Sequence, residues 1–304
     1  MKKFIPRKRK LIVPPFLQKG DTIGIASPAS SYKQQSFQEG INLLEQWGFR
    51  VVLGRNRIGR KGYLAGTDQE RAEELMSLFT NPEIKAILCS RGGYGTIRTL
   101  EYLDFRKIKD HPKFFMGFSD ITVLLMALWK KADLMTFHGP MVTTLSQLKP
   151  SSLLRVEATL MGHYQIQLSL DKNRVFFPGS AQGILIGGNL TLLTHLIGTP
   201  YEPVWDQAIL FLEDCGEEPY RLDRLFMHLR LRGCLKKVSA ILLGRFIGPQ
   251  KKELHLTMAK EILKDSHIPV WTGLPIGHGS RNIPLPIGAP AFLDGNKGLL
   301  SIEL

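Results

Sequence analysis

Three residues able to carry out acyl transfer occur in the chain order Ser119, Glu213, His278, each where an apolar run gives way to a turn. Ser119 sits in Gly117-Phe118-Ser119-Asp120, between the apolar run 114–116 and the apolar stretch 121–129. A serine on a tight strand-to-helix turn has its hydroxyl lifted out of the sheet. The following helix N-terminus helps to hold a developing oxyanion. The fifth position is Ile121, so the full GxSxG pattern is not met, and a Ser-Asp pair at a helix start also reads as an ordinary N-cap.

Glu213 and Asp214 follow the apolar run 208–212, at the C-terminal end of an expected strand, where α/β folds place their sites. One carboxylate could orient and charge-stabilise a histidine. The alternative is a pair of solvated loop acids neutralising Arg221 and Arg224. His278 lies between Gly277 and Gly279 after another apolar run, an approachable position for a general base. The other histidines have poorer settings: His138 precedes Gly-Pro, His195 and His228 fall on expected helices, and His111, His163, His255 and His267 read as surface or loop residues. The segment Arg91-Gly92-Gly93-Tyr94-Gly95 also follows a strand. Its glycines could offer N–H groups to an oxyanion or a phosphate, but it is neither GxGxxG nor a Walker loop.

The elements that must position these residues alternate in the first half. Strands are expected at 49–53, 84–89 and 114–117, with a turn, a short apolar strand and a loop across 19–28, and helices at 37–47, 67–79, 96–103 and 121–131, with Thr67 as an N-cap. That alternation predicts a parallel sheet flanked by helices. After Pro150 a helix at 151–162 and a polar extended stretch at 165–180 precede a strand-dominated region. There strands are expected at 184–186, 208–212, 240–243, 270–274 and 299–303, with helices at 189–196, 221–231 and 257–263. The predicted organisation is a basic tail (1–15), an N-terminal α/β domain carrying the nucleophile (16–150), a linker (151–180) and a smaller β-rich C-terminal domain carrying the acid and the histidine (181–304).

The 304 residues are 43% hydrophobic and 22% charged, which excludes intrinsic disorder. No apolar run reaches the ~18 residues of a membrane span, and no signal-peptide core follows the charged N-terminus, because Pro14 and Pro15 break it. A cytoplasmic protein is expected. Lys and Arg exceed Asp and Glu by 40 − 27 = 13, with one cluster in residues 1–11 and another over 221–260. No nucleic-acid recognition motif accompanies them, so the second cluster fits an acidic small-molecule substrate better than nucleic acid. Cys89, Cys215 and Cys234 show no metal-ligand spacing, and neither metal nor other cofactor is expected.

The motifs taken together resemble the LD-carboxypeptidase family, the muramoyltetrapeptide carboxypeptidases, which include the microcin C immunity peptidases as relatives. The resemblance rests on GDTIGIASP at 20–28, AGTDQER at 65–71, RGGYG at 91–95, GFSD at 117–120, FHGPM at 137–141, GGNL at 187–190, LIGTP at 196–200, LED at 212–214, YRLDR at 220–224 and Gly277-His278. It implies an N-terminal α/β domain like class I glutamine amidotransferases, a β-rich C-terminal domain, and a homodimer. It also implies a Ser119–Glu213–His278 triad whose oxyanion hole is built from the backbone of Asp120, Gly92 and Gly93. The implied reaction releases the terminal D-alanine from a murein tetrapeptide. Arg91, Arg221 and Arg224 are candidate binders of the substrate carboxylates, because guanidinium grips a carboxylate bidentately. Their alternative role is ion pairing with the acids at 213–218. Other readings are an immunity peptidase acting on a peptidyl-nucleotide and a non-catalytic binding protein on this fold. A glutamine amidotransferase would need a cysteine on the elbow, where Ser119 stands.

Overall fold

The computed structural model of the chain describes residues 10–54, 61–163, 166–171, 174–249 and 252–303, which fall into two units. Of the basic tail, residues 1–9 lie outside the described residues, whereas Ile12 N–H donates to Asp133 O and, just past the tail, Leu17 N–H donates to Leu160 O.

One unit comprises Leu11–Tyr164 and Gly279–Ile287. Its elements are β1 (Thr22–Ala26), α1 (Gln34–Gln46), β2 (Arg50–Leu53), α2 (Asp68–Thr80), β3 (Ile84–Cys89), α3 (Phe105–Asp110), β4 (Phe114–Gly117), α4 (Thr122–Ala132), β5 (Thr136–His138), α5 (Val142–Leu145) and α6 (Pro150–Leu160). The strands form one sheet in the order β5-β4-β3-β1-β2, all parallel, and Leu285–Ile287 pairs antiparallel with the free edge of β5. Apolar runs without alternation explain the layering, since a parallel sheet buries both faces. Ile87, Leu88, Phe114, Phe115 and Phe137 have no exposed surface, and the Phe114 and Phe137 rings stack at 4.2 Å. The amphipathic α2 starts where Thr67 accepts from Glu70 N–H and the Glu70 carboxylate accepts from Thr67 N–H. Such a capping box contributes about 1 kcal/mol.

The other unit holds Gln165–His278 and Gly288–Leu304. It comprises β6 (Ile166–Ser169), β7 (Val175–Phe177), β8 (Ala181–Asn189), α7 (Leu190–His195), β9 (Ala208–Cys215), α8 (Pro219–Leu231), β10 (Ala240–Ile247), α9 (Lys252–Leu263), β11 (Val270–Thr272), β13 (Pro290–Asp294) and β14 (Leu299–Ile302), the strand Leu285–Ile287 being β12 in chain order. The sheet runs β6-β14-β13-β8-β9-β10-β11-β7, with a parallel centre (β8 to β11) and antiparallel edges.

Several expectations need correction. The stretch 165–180 supplies β6 and β7 to the sheet rather than running as polar extended chain alone. Residues 96–102 form a 3-10 helix, after which α3 was not anticipated. His255 is buried on α9 and is not a surface or loop residue. Glu213 and Asp214 belong to β9 itself and are buried, so they are not solvated loop acids.

Candidate active site

Ser119 adopts φ of +61°, one of few non-glycine residues on the left-handed side. For an L-residue this conformation costs roughly 1–2 kcal/mol, so surrounding structure must hold it. The turn is enforced from both sides. Gly117 ends β4, and a Cβ there would come within 2.8 Å of Ile121 Cγ2, which leaves only glycine. After Ser119, one 3-10 turn runs into α4, which is buried from Thr122 to Trp129. The half-buried serine therefore stands at the carboxyl end of a central strand, directly before helical N–H groups. This is elbow geometry without the fifth-position glycine.

The glycine loop lies beside it. A Cβ on Gly92 would sit 3.2 Å from Ser119 Cβ and 3.4 Å from its Oγ, so the loop backbone passes close to the hydroxyl. Ser30 fixes that loop: its N–H donates to Gly92 O at 3.2 Å, and its Oγ accepts from Tyr94 N–H at 3.1 Å. Neither Gly92 N–H nor Gly93 N–H is used in a hydrogen bond among the described residues. The Asp120 side chain is buried and accepts from Thr96 N–H at 2.8 Å, tying the elbow to the residue that follows the loop.

In the other unit, His278 Nδ1 and Glu213 Oε2 are 2.8 Å apart. Glu213 is fully buried, whereas the His278 side chain is 26% exposed. Glycine at 277 makes this approach feasible: its φ is +88°, and a Cβ would come within 2.5 Å of Glu213 Oε2. We expect Gly277→Ala to separate the pair and cut kcat by about 10–100-fold with a smaller effect on KM; a displacement of ~1 Å suffices for such a loss. Steady-state kinetics on the variant check this. Burial pulls the His278 pKa down, but the hydrogen bond and charge of Glu213, with the charge of Asp214, outweigh it and hold the imidazole above its ordinary value. The neighbouring Asp214 is raised to about 6 by burial and by the Glu213 charge. Its carboxylate accepts from Asn189 Nδ2, Thr191 N–H, Thr191 Oγ1 and Cys215 N–H, so it anchors the start of α7 to β9.

The three candidate arginines are exposed and differently engaged. Arg91 donates to Ser31 O at 2.6 Å. Arg221 lies 3.8 Å from Glu217 and, with Arg224, close to the Tyr220 ring. Of the sulfhydryls, Cys89 is buried in β3 with a pKa far above the ordinary thiol value, chiefly from burial. It lacks the low pKa of a nucleophile. Among the described residues no helix is long and apolar enough to cross a membrane, and no cluster of His, Cys, Asp and Glu could hold a metal ion.

Sequence reasoning overlooked Arg71. It was quoted only as part of a motif, yet it is completely buried, and its guanidinium donates to Pro28 O and Gly95 O while pairing with Asp68. A basic residue at a position in register with Leu75 and Leu78 on α2 was the available signal.

Residues 23–139 match the LD-carboxypeptidase N-terminal domain and residues 182–293 the LD-carboxypeptidase C-terminal domain. The chain is 39% identical, over 95% of its length and 94% of the relative's, to a probable murein peptide carboxypeptidase of Bacillus subtilis. It is also similar to the crystal structure of the muramoyltetrapeptide carboxypeptidase from Oxalobacter formigenes (TM-score 0.83, 33% identity, 92% of this chain and 97% of that one). The structure of MccF in complex with glutamyl sulfamoyl guanosine superposes with a TM-score of 0.87 at 28% identity, covering 96% of this chain and 98% of that one. With both domain types matched in order on an elbow serine and a buried Glu–His pair, the chain belongs to the LD-carboxypeptidase family and is an enzyme of the carboxypeptidase class.

Proposed function

We propose that the chain is a serine-type LD-carboxypeptidase that releases the terminal D-alanine from murein tetrapeptides, in the recycling of cell-wall peptides in the cytoplasm. The observation that carries this reading is the 2.8 Å bond between His278 and the buried Glu213. A histidine held in this way has one tautomer and a stabilised cationic form, as a general base toward a serine requires. The strained Ser119 supplies the nucleophile.

In the proposed reaction, His278 Nε2 takes the Ser119 proton as Oγ attacks the carbonyl that joins an L-centre to D-alanine. The Asp120 N–H and the Gly92–Gly93 loop receive the oxyanion. His278 then gives its proton to the leaving amine, D-alanine departs, and water activated by the same imidazole cleaves the acyl-enzyme. Arg91, Arg221 and Arg224 are the proposed contacts for the substrate carboxylates. No step calls on a metal, and activity is expected to be unchanged by EDTA; a loss on chelation that zinc restores would contradict the mechanism.

Selectivity provides the test. With the terminal carboxylate clamped, inverting the last centre swaps methyl and hydrogen and pushes the scissile carbonyl off the hole. A displacement of ~1 Å can cost ~100-fold. The expected result is a kcat/KM at least ~100-fold higher for a tetrapeptide ending in D-alanine than for its L-alanine epimer. Equal rates would refute the reading. Unchanged KM in both Arg91→Ala and Arg224→Ala would remove the clamp alone. The MccF likeness favours a second reading, hydrolysis of a peptidyl-nucleotide. The 39% identity to the probable murein peptide carboxypeptidase supports the first reading.

A further inference from the structure

We propose that Arg71 is a positioning residue of this reaction, holding the glycine loop 91–95 at the distance from Ser119 at which its N–H groups can receive the oxyanion. The inference rests on the oxyanion-hole assignment above. It starts from an oddity of burial. Arg71 has no exposed surface, and among the described residues its ion-pair partner is Asp68. Burial pulls its pKa down from the ordinary guanidinium value, against the favourable interactions with Asp68. A methionine or leucine would fill the same space on α2 without that desolvation cost.

What the guanidinium adds is a rigid fork of donors aimed at three separate segments. Nη1 donates to Gly95 O at 2.8 Å and to Pro28 O, and Nη2 to Asp68 Oδ1. Asp68 Oδ2 in turn receives Arg98 Nε at 3.0 Å and Nη2 at 2.8 Å, from the 3-10 turn that follows the loop. The loop is thus held at three points. Ser30 binds Gly92 O and Tyr94 N–H, and Arg71 binds Gly95 O while also holding Pro28 O, at the root of the Ser30 segment. Thr96, the next residue, is bonded to Asp120 beside the nucleophile. Two of the loop's ties, at Gly95 O and through the Ser30 segment held at Pro28, involve Arg71, while Thr96 is held separately by Asp120. An oxyanion hole acts only if its donors are pre-set, because a donor displaced by ~1 Å stabilises the ground state and the transition state about equally poorly.

The test uses the full-length enzyme with two variants. Arg71→Lys keeps the charge but, with a single ammonium, cannot hold both carbonyls and Asp68. Asp68→Asn removes the charge partner at a partly exposed site, which the fold should tolerate. Each is titrated with a fluorophosphonate to count competent Ser119, followed over temperature for cooperative unfolding, and assayed on a murein tetrapeptide. The expected result is a kcat per titrated site reduced about 10–100-fold in Arg71→Lys and less in Asp68→Asn, with KM within about 2-fold and slower fluorophosphonate labelling. If both variants keep kcat per titrated site within about 3-fold, with only the melting temperature lowered, Arg71 is structural and the inference fails; a raised KM at unchanged kcat fails it equally. If Arg71→Lys does not fold, Asp68→Asn decides by the same criteria. Should the unaltered enzyme neither label at Ser119 nor release D-alanine, the proposed function falls first, and this inference with it.

Discussion

Ser119→Ala is expected to lower kcat by on the order of 10⁴–10⁶-fold while leaving the fold intact. The expectation of a collapse comes from the proposed chemistry: no hydroxyl remains to attack, and the residual rate comes from binding and the oxyanion donors alone. The expectation of an intact fold comes from the structure. The side chain is half-buried on a turn, and alanine keeps the Cβ, so stability should move by no more than about 0.5 kcal/mol. Ser119→Gly separates the two effects further. At φ of +61° glycine escapes the left-handed cost of ~1–2 kcal/mol, offset by ~0.5–1 kcal/mol of extra unfolded-state entropy. This variant should be as stable as the parent or slightly more so, and equally inactive. Calorimetry with steady-state kinetics reads both quantities. Substantial turnover in either variant would remove the nucleophile assignment.

Glu213→Gln is expected to cost about 10⁴-fold in kcat and to move the pH profile. In the proposed mechanism the base is the neutral imidazole, so kcat/KM should rise with pH through the His278 pKa. In the parent, that limb should lie above the ordinary histidine value, because Glu213 and Asp214 outweigh the burial that opposes protonation. Glutamine removes the larger of the two charges but leaves the burial, so the limb should move to lower pH. Stability follows the same sign. A histidine whose pKa is raised by folding contributes stability below its unfolded value, and that contribution is lost as pH rises through the folded value. The stability gap between the parent and Glu213→Gln from this source should therefore be full in mild acid and narrow toward alkaline pH. His278→Ala should fall to a residual rate similar to that of Ser119→Ala, and combining the two should cost little more, since the members act as a unit. An acid limb that does not move in Glu213→Gln would detach Glu213 from the base.

How much of this could be read in the chain depends on how local the cause is. Strand β3 is found exactly where the apolar run 84–89 places it, and α2 starts at the Thr67 cap, because run length and capping are written in adjacent residues. The helix expected at 96–103 is a 3-10 turn over 96–102, and its start is held by Asp120, distant in sequence. Strands β12 and β13 were missed because each is short and contains a proline, Pro286 or Pro290, that argues against a strand in isolation. At the candidate site, the strand-to-helix turn at Ser119 was legible, and so was the placing of Glu213 at a strand's end. The burial of Glu213 was not, because it depends on the strands beside β9. Nor was the role of Arg71, whose hydrogen-bond partners Pro28 and Gly95 come from other loops.

The most direct test of the central claim is mass analysis of a purified murein tetrapeptide after incubation with the protein. The account predicts conversion to the tripeptide with release of one D-alanine per molecule, and no conversion with Ser119→Ala. An unchanged tetrapeptide under conditions in which a peptidyl-nucleotide is hydrolysed, or conversion that persists in Ser119→Ala, would contradict it.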